Sequence, residues 1–220
     1  MAVRILVADD HEVVRRGLCT LIQSEPNLEV CGEAADGREA VERAGQLRPE
    51  IVIVDIAMPV LNGLEATRQI LKANPKIKIL VLTLHDSEQV VRDVLAAGAR
   101  GFLLKSDAAR DLIAAVEALG HDKTYFTSSV ASLVLEGYLR SHAPAAVAPA
   151  ASSLDRLTPR EREIVQLLAE GKSTKEVASA LDLRVKTAET HRTNIMRKLQ
   201  LRSVSDLVLY AVRNNIVHIS

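Results

Sequence analysis

Five short apolar runs, near residues 4–9, 29–34, 51–55, 78–83 and 101–105, alternate with longer segments whose apolar residues recur at helical spacing. This alternation constrains the fold of the first half of the chain more than any other feature. Residues 51–54 and 79–82 are unbroken apolar stretches, as strands covered on both faces must be. Val13, Val14, Leu18, Leu21 and Ile22 form one face of an intervening segment, and Leu64, Thr67, Ile70 and Leu71 a face of another. Leu112, Ile113, Val116 and Leu119 follow Asp107, a residue suited to capping a helix. Strands and helices alternating at this pitch predict a five-stranded parallel sheet with helices on both faces.

Polar residues close these runs. Asp9 and Asp10 end the first, Asp55 the third, Thr83 the fourth and Lys105 the fifth. In a parallel sheet all of them meet at the carboxyl edge, where open α/β sheets place ligands. Three clustered carboxylates repel one another unless a hard cation joins them, and oxygen donors of this kind suit magnesium. Lys105 is the obvious counter-charge. An Asp-Asp pair by itself reads as an ordinary strand-to-helix turn; its concurrence with Asp55, Thr83 and Lys105 favours a site. His11 and His85 border it and are read as solvated loop residues, because magnesium prefers oxygen ligands.

At 220 residues the chain predicts two domains rather than one. Charge divides accordingly: residues 1–140 hold 16 Lys+Arg against 20 Asp+Glu, and residues 141–220 hold 12 against 8. An acidic front and a basic back fit a metal or phosphate site followed by a polyanion binder. Aromatic content of 2% argues against a stacking platform for single-stranded nucleic acid. Cys19 and Cys31 lack metal-ligand spacing and read as buried thiols. The chain has no apolar stretch of the roughly 20 residues a membrane-spanning helix needs. It also has no basic-then-apolar leader, so a cytoplasmic location without membrane contact is expected.

The Ala/Pro/Ser-rich residues 143–153 read as an exposed linker, preceded over 127–140 by helical spacing. Thr158-Pro159-Arg160-Glu161 then opens a helix with N-cap, proline and capping-box residues, and Gly171 stops it. Ser173 to Glu176 repeats the box. A third helix spans about 185–199, and Ser203 caps a fourth. Two helices joined by a tight turn, the second basic, form the helix-turn-helix pattern. Ile195 and Leu199 mark the buried side of the basic helix, leaving Lys186, Glu189, Arg192 and Thr193 on an exposed stripe. His191 is read as a packing residue.

Asp9-Asp10, the stretch from Asp55 through Met58-Pro59 to Gly63, Thr83, and Phe102 three residues before Lys105 together resemble the receiver domain of bacterial two-component response regulators. The second half resembles a LuxR-type helix-turn-helix, so the whole is similar to regulators of the NarL/FixJ type. The resemblance implies a flavodoxin-like receiver over 1–120, a linker over 121–154 and an all-α four-helix domain over 155–220. It implies that Asp55 accepts a phosphoryl group from a sensor histidine kinase. Magnesium would be held by Asp10, Asp55 and the backbone carbonyl of Ala57, with Asp9 acting through water. Lys105 and Thr83 would bind phosphoryl oxygens, and Phe102 would swing inward behind Thr83. Double-stranded DNA would be read by Arg184, Lys186, Thr187, Ala188, Glu189, Arg192, Asn194 and Lys198, with Ala188 touching a thymine methyl and the chain acting as a homodimer on paired half-sites.

Two departures from the pattern are visible: Phe rather than Tyr at 102, and Ser106 where many receivers carry proline. Two other readings stand beside this one. A phosphohydrolase using Asp55 would need a second acid two residues on, where the chain has Ala57, leaving slow self-dephosphorylation only. A DNA-binding module with a phosphate-independent receiver would have no use for the full acidic set.

Overall fold

The structure, a computed structural model, describes residues 2–84, 87–127, 130, 157–201, 203–214 and 216–217. His85, the Ala/Pro-rich stretch and most of the expected 127–140 helix lie outside the described residues. The chain divides into two compact units, Met1–Pro144 and Ala145–Ser220.

In the first unit, β1 (Val3–Ala8), β2 (Leu28–Ala34), β3 (Ile51–Asp55), β4 (Lys78–Thr83), β5 (Gly101–Leu104) and β6 (Tyr125–Phe126) form one sheet in the order β2-β1-β3-β4-β5-β6. Every neighbouring pair is parallel. Helices α1 (Glu12–Gln23), α2 (Gly37–Leu47), α3 (Gly63–Ala73), α4 (Glu88–Ala96) and α5 (Ala108–Gly120) connect the first five strands and lead on to β6.

The strand period of two sorts the core into two layers. Ile5, Val7, Ile51, Ile53, Leu80, Leu82 and Leu103 pack against Leu18 and Ile22 of α1 and Leu112, Val116 and Leu119 of α5. Leu6, Ala8, Val52, Val54, Ile79, Val81 and Phe102 face the other way, with Ala40 and Ala44 of α2, Ile70 of α3 and Val90 and Val94 of α4.

The sheet has six strands, one more than the apolar runs predict. β6 is two residues long, too short for a periodicity to declare itself, and it forms by pairing Gly101 with Tyr125 and Phe102 with Phe126. Three smaller expectations also change. Val13 is exposed, and α1 buries Leu18, Cys19 and Ile22 instead. Cys31 is half-buried where Cys19 is buried, since the β1–β2 register slips at this point, pairing Ile5 with Val30 and Leu6 with Gly32. Asp107 stands at the N-cap of α5 without capping it, and lies 3.3 Å from Arg110 instead.

The second unit is a helical cluster of α6 (Pro159–Ala169), α7 (Thr174–Ala180), α8 (Val185–Lys198) and α9 (Val204–Arg213). Capping boxes close the N-termini of α6, α7 and α9 at Thr158, Ser173 and Ser203. Gly171, at φ +85°, ends α6 in the left-handed conformation that glycine adopts at least cost. Leu157, Ile164, Leu167, Val177, Ile195 and Leu207 make the shared core.

Candidate functional site

The strand order reverses between β1 and β3, so the crevice beyond their carboxyl ends is where a doubly wound sheet binds ligands. Asp9 follows β1 and is fully buried, Asp55 ends β3 and is buried, and Thr83 ends β4 and is buried. Lys105 follows β5 and reaches across: its Nζ lies 2.7 Å from Asp9 Oδ2 and 2.8 Å from Asp55 Oδ2. One ammonium therefore bridges two carboxylates that belong to different strands.

Backbone geometry fixes the acids. The amide of His11 donates to Asp9 Oδ1 at 2.9 Å. Arg15 donates to the Asp9 carbonyl at 2.7 Å while its Nε donates to Glu33 at 3.0 Å. After Asp55 the chain turns tightly, with Leu61 N–H donating to the Pro59 carbonyl at 2.7 Å and Val60 held at φ +67°. Asn62 caps α3. Gly63 then passes so close to Asp55 that a Cβ on it would sit 1.9 Å from the Asp55 carbonyl oxygen.

Burial pushes the Asp55 carboxyl above its ordinary range; the hydrogen bond and charge of Lys105 oppose this, and the Asp9 charge adds to it. Burial alone would depress Lys105, but its bonds and charge interactions with Asp55 and Asp9 leave it raised. The pocket is thus an excess of negative charge around one cation, with affinity left for another.

Ligand atoms of Asp9, Asp10, His11 and Asp55 lie within 4.8 Å of one another. The oxygen-rich donor set and this spacing fit a magnesium ion. His11 is exposed, as expected of a loop residue, yet its ring is turned onto the acids, with Nδ1 2.8 Å from Asp10 Oδ1.

Phe102 is fully buried beside β4, in register with Val81. The aromatic that the resemblance has swinging inward is already inward. Its neighbour in β6 is Phe126, and both belong to one core cluster with the fully buried Val130. This pairing of Phe102 with Phe126 is not legible in the sequence, because an isolated Tyr-Phe pair carries no strand signal.

In the second unit, α8 carries the basic residues. Arg184, Lys186, Thr187, Glu189, Asn194 and Lys198 are exposed and Arg192 is half-buried. Ala188 is not available: it is fully buried on the same face as Ile195, seven residues on, so the expected thymine contact is withdrawn. A short apolar side chain gives no sequence signal that separates core from groove. The stripe opposite Ala188 and Ile195 runs through Lys186, Thr190, Thr193 and Arg197, all exposed; Thr190 and Arg197 were not among the expected readers. Arg184 stands at the N-cap of α8 with no side-chain cap. Lys198 Nζ lies 2.7 Å from Glu161 Oε2, which ties α8 to the start of α6.

The chain matches the family described as "Response regulator receiver domain" over residues 5–117, and "Bacterial regulatory proteins, luxR family" over residues 155–211. It is 39% identical over 216 residues to the transcriptional regulatory protein LiaR of Bacillus subtilis, covering 98% of this chain and all of that one. Among solved structures it is similar to RcsB from Salmonella enterica serovar Typhimurium bound to promoter rprA with the phosphomimetic BeF3−. That chain is 26% identical with a TM-score of 0.58, covering 96% of this chain and 98% of its own. A second RcsB structure, of two dimers bound to two parallel DNAs, is 25% identical with a TM-score of 0.59, covering 97% and 99%. A parallel receiver sheet with acids and a lysine at its carboxyl edge, joined to a helix-turn-helix unit, places this chain in the family of two-component response regulators with a LuxR-type DNA-binding domain, which regulate transcription.

Proposed function

We propose that Asp55 is the phosphoacceptor of this regulator and that a sensor histidine kinase is the donor. The carrying observation is Lys105 Nζ held between Asp9 and Asp55 at 2.7 and 2.8 Å, an arrangement ready to move onto phosphoryl oxygens. A carboxylate oxygen of Asp55 forms the new P–O bond as the P–N bond of the donor phosphohistidine breaks. The electron pair of that bond leaves with the donor imidazole, which takes up a proton. Lys105 and the Thr83 hydroxyl bind the transferred group's oxygens. Asp10, Asp55 and the Ala57 carbonyl hold magnesium, with Asp9 acting through water. Bound there, magnesium supplies neutralisation of charge on the transferring group, which dominates catalysis of this class. Position 57 carries no acid, so turnover is limited to slow self-dephosphorylation and the chain is a switch, not an enzyme.

The phosphoryl signal leaves through Phe102. Because its ring is already buried, activation consists in locking β5 against β6 rather than in a large rotation. α8 enters the major groove of double-stranded DNA, with Arg184, Lys186, Thr187, Glu189, Arg192, Asn194 and Lys198 facing it and Thr190 and Arg197 added from the outward stripe. The phosphorylated chain binds paired half-sites as a homodimer, a reading supported by the dimers of the DNA-bound RcsB relative. As a DNA-bound regulator it works in the cytoplasm. Among the described residues no helix is long and apolar enough to cross a membrane.

The test is labelling of the full chain by a small phosphodonor with magnesium. Label is expected on the wild type and not on Asp55→Ala, and it should strengthen binding to a selected DNA site. Label retained in Asp55→Ala would end the proposal.

A further inference from the structure

One residue of α8 runs against the charge of its helix. Glu189 is the single acid there, set among Lys186, Arg192, Arg197 and Lys198, and it is exposed. Residues three and four apart on a helix are neighbours, so Lys186 and Arg192, three residues to either side, are the cations placed to neutralise it. Neither does. Among the described residues the Glu189 carboxylate meets no cation and no hydrogen-bond donor.

The nearby donors are directed elsewhere. Arg192 Nη1 reaches back to Thr174 Oγ1 of α7 at 3.5 Å. The hydroxyls of Thr190 and Thr193 donate to the backbone carbonyls of Lys186 and of Glu189 itself, at 2.9 and 3.0 Å. Arg197 donates to Asn194 at 3.2 Å, and Lys198 pairs with Glu161 at 2.7 Å. The carboxylate is therefore an acceptor whose donor has to come from outside the unit. Against DNA such an acid is unfavourable, because it repels the phosphates that the surrounding cations attract. The major groove offers one compensating partner, the exocyclic amino group of cytosine or adenine; guanine and thymine present no hydrogen-bond donor there.

We propose that Glu189 is a specificity-determining residue, which accepts a hydrogen bond from a base amino group in the major groove, that of cytosine in the commonest pairing. Its charge at the same time lowers affinity for every sequence that offers no amine at that place. The inference rests on the reading of α8 as the major-groove helix. It assigns discrimination to Glu189 and sequence-independent affinity to the cations around it.

The experiment is selection of duplex sites from a random pool by the phosphodonor-treated full chain, as wild type, Glu189→Ala and Lys186→Ala. The selected site and an unrelated duplex are then titrated with each. The wild type is expected to lose about tenfold in affinity when one cytosine of the half-site is exchanged for thymine, which puts a carbonyl where the amine was. An adenine that is sensitive to exchange for guanine would name adenine as the source of the amine. Glu189→Ala should lose the preference at that one position and bind the unrelated duplex more tightly, by a margin that shrinks as salt rises. Lys186→Ala should weaken both duplexes alike. Selection by Glu189→Ala of the wild-type site, with every preference intact, overturns the inference, as does a loss spread evenly over all sequences. If Lys186→Ala weakens both duplexes while Glu189→Ala changes nothing, only this inference fails; if neither substitution affects either duplex, the major-groove reading of α8 fails with it.

Discussion

Val60 shows how much a single backbone position holds in the loop after Asp55. A β-branched residue at φ +67° costs about 1–2 kcal/mol, and asparagine tolerates that conformation better. Val60→Asn should therefore raise the urea midpoint by the equivalent of about 1 kcal/mol; an unchanged or lower midpoint would show that the apolar side chain itself stabilises the turn. Asp55 makes a second residue-scale prediction. Its carboxyl is raised from 3.8 by burial first, so the folded state holds the proton more tightly than the unfolded chain. Stability tied to that proton is complete below 3.8 and is lost as pH rises through the folded value. In metal-free buffer, Asp55→Asn should thus gain on the wild type as pH climbs through that window, measured by urea unfolding. A gain by the wild type instead would show that Lys105 more than compensates for burial. Adding magnesium should reverse the ranking, since ligand at about a hundred times its dissociation constant stabilises only the form that binds it, by about 2.7 kcal/mol. The sequence made the acids, Thr83 and Lys105 legible because each closes an apolar run. It could not show which rings turn inward: His11 on its acids and Phe102 in the core are packing outcomes.

At the scale of an element, α8 answers to two demands at once. It must pack Ala188 and Ile195 into the cluster with α6, α7 and α9, and it must present charge outward. Arg184 marks the conflict: it occupies an N-cap position where Ser, Thr or Asp would satisfy an orphan amide. Arg184→Ser should stabilise the chain by about 1 kcal/mol and at the same time weaken DNA binding, most visibly at low salt. A variant that binds DNA as well as the wild type would remove Arg184 from the interface. Lys186→Ala should reduce the slope of log affinity against log salt by about one, whereas Ala188→Leu should cost about 1–3 kcal/mol of stability by overpacking a full core. Helical spacing and capping residues made the four helices readable in advance. Which small residue faces inward depended on how the neighbouring helices cross, and Ala188 had no chemistry to announce it.

For the whole molecule, the proposed exit of the phosphoryl signal through Phe102 is tested at the β5–β6 pairing. Phe126→Ala removes the ring in register with Phe102. Phosphodonor labelling should survive this change, with Phe126→Leu as the volume-keeping control, while labelling should no longer strengthen DNA binding. A full gain in DNA affinity would show that the signal leaves by another route. By itself, the amino-acid sequence determined the alternation of strand and helix, the parallel order that follows from it, the acidic edge and the capped basic helix, because periodicity, turn chemistry and charge are local properties of the chain. Only the tertiary structure decided that Lys105 spans two acids, that a sixth strand ties Phe102 to Phe126, that Ala188 is core and that His11 faces Asp10. Those outcomes depend on which distant side chains compete for the same few ångströms of space, and no local pattern records that competition.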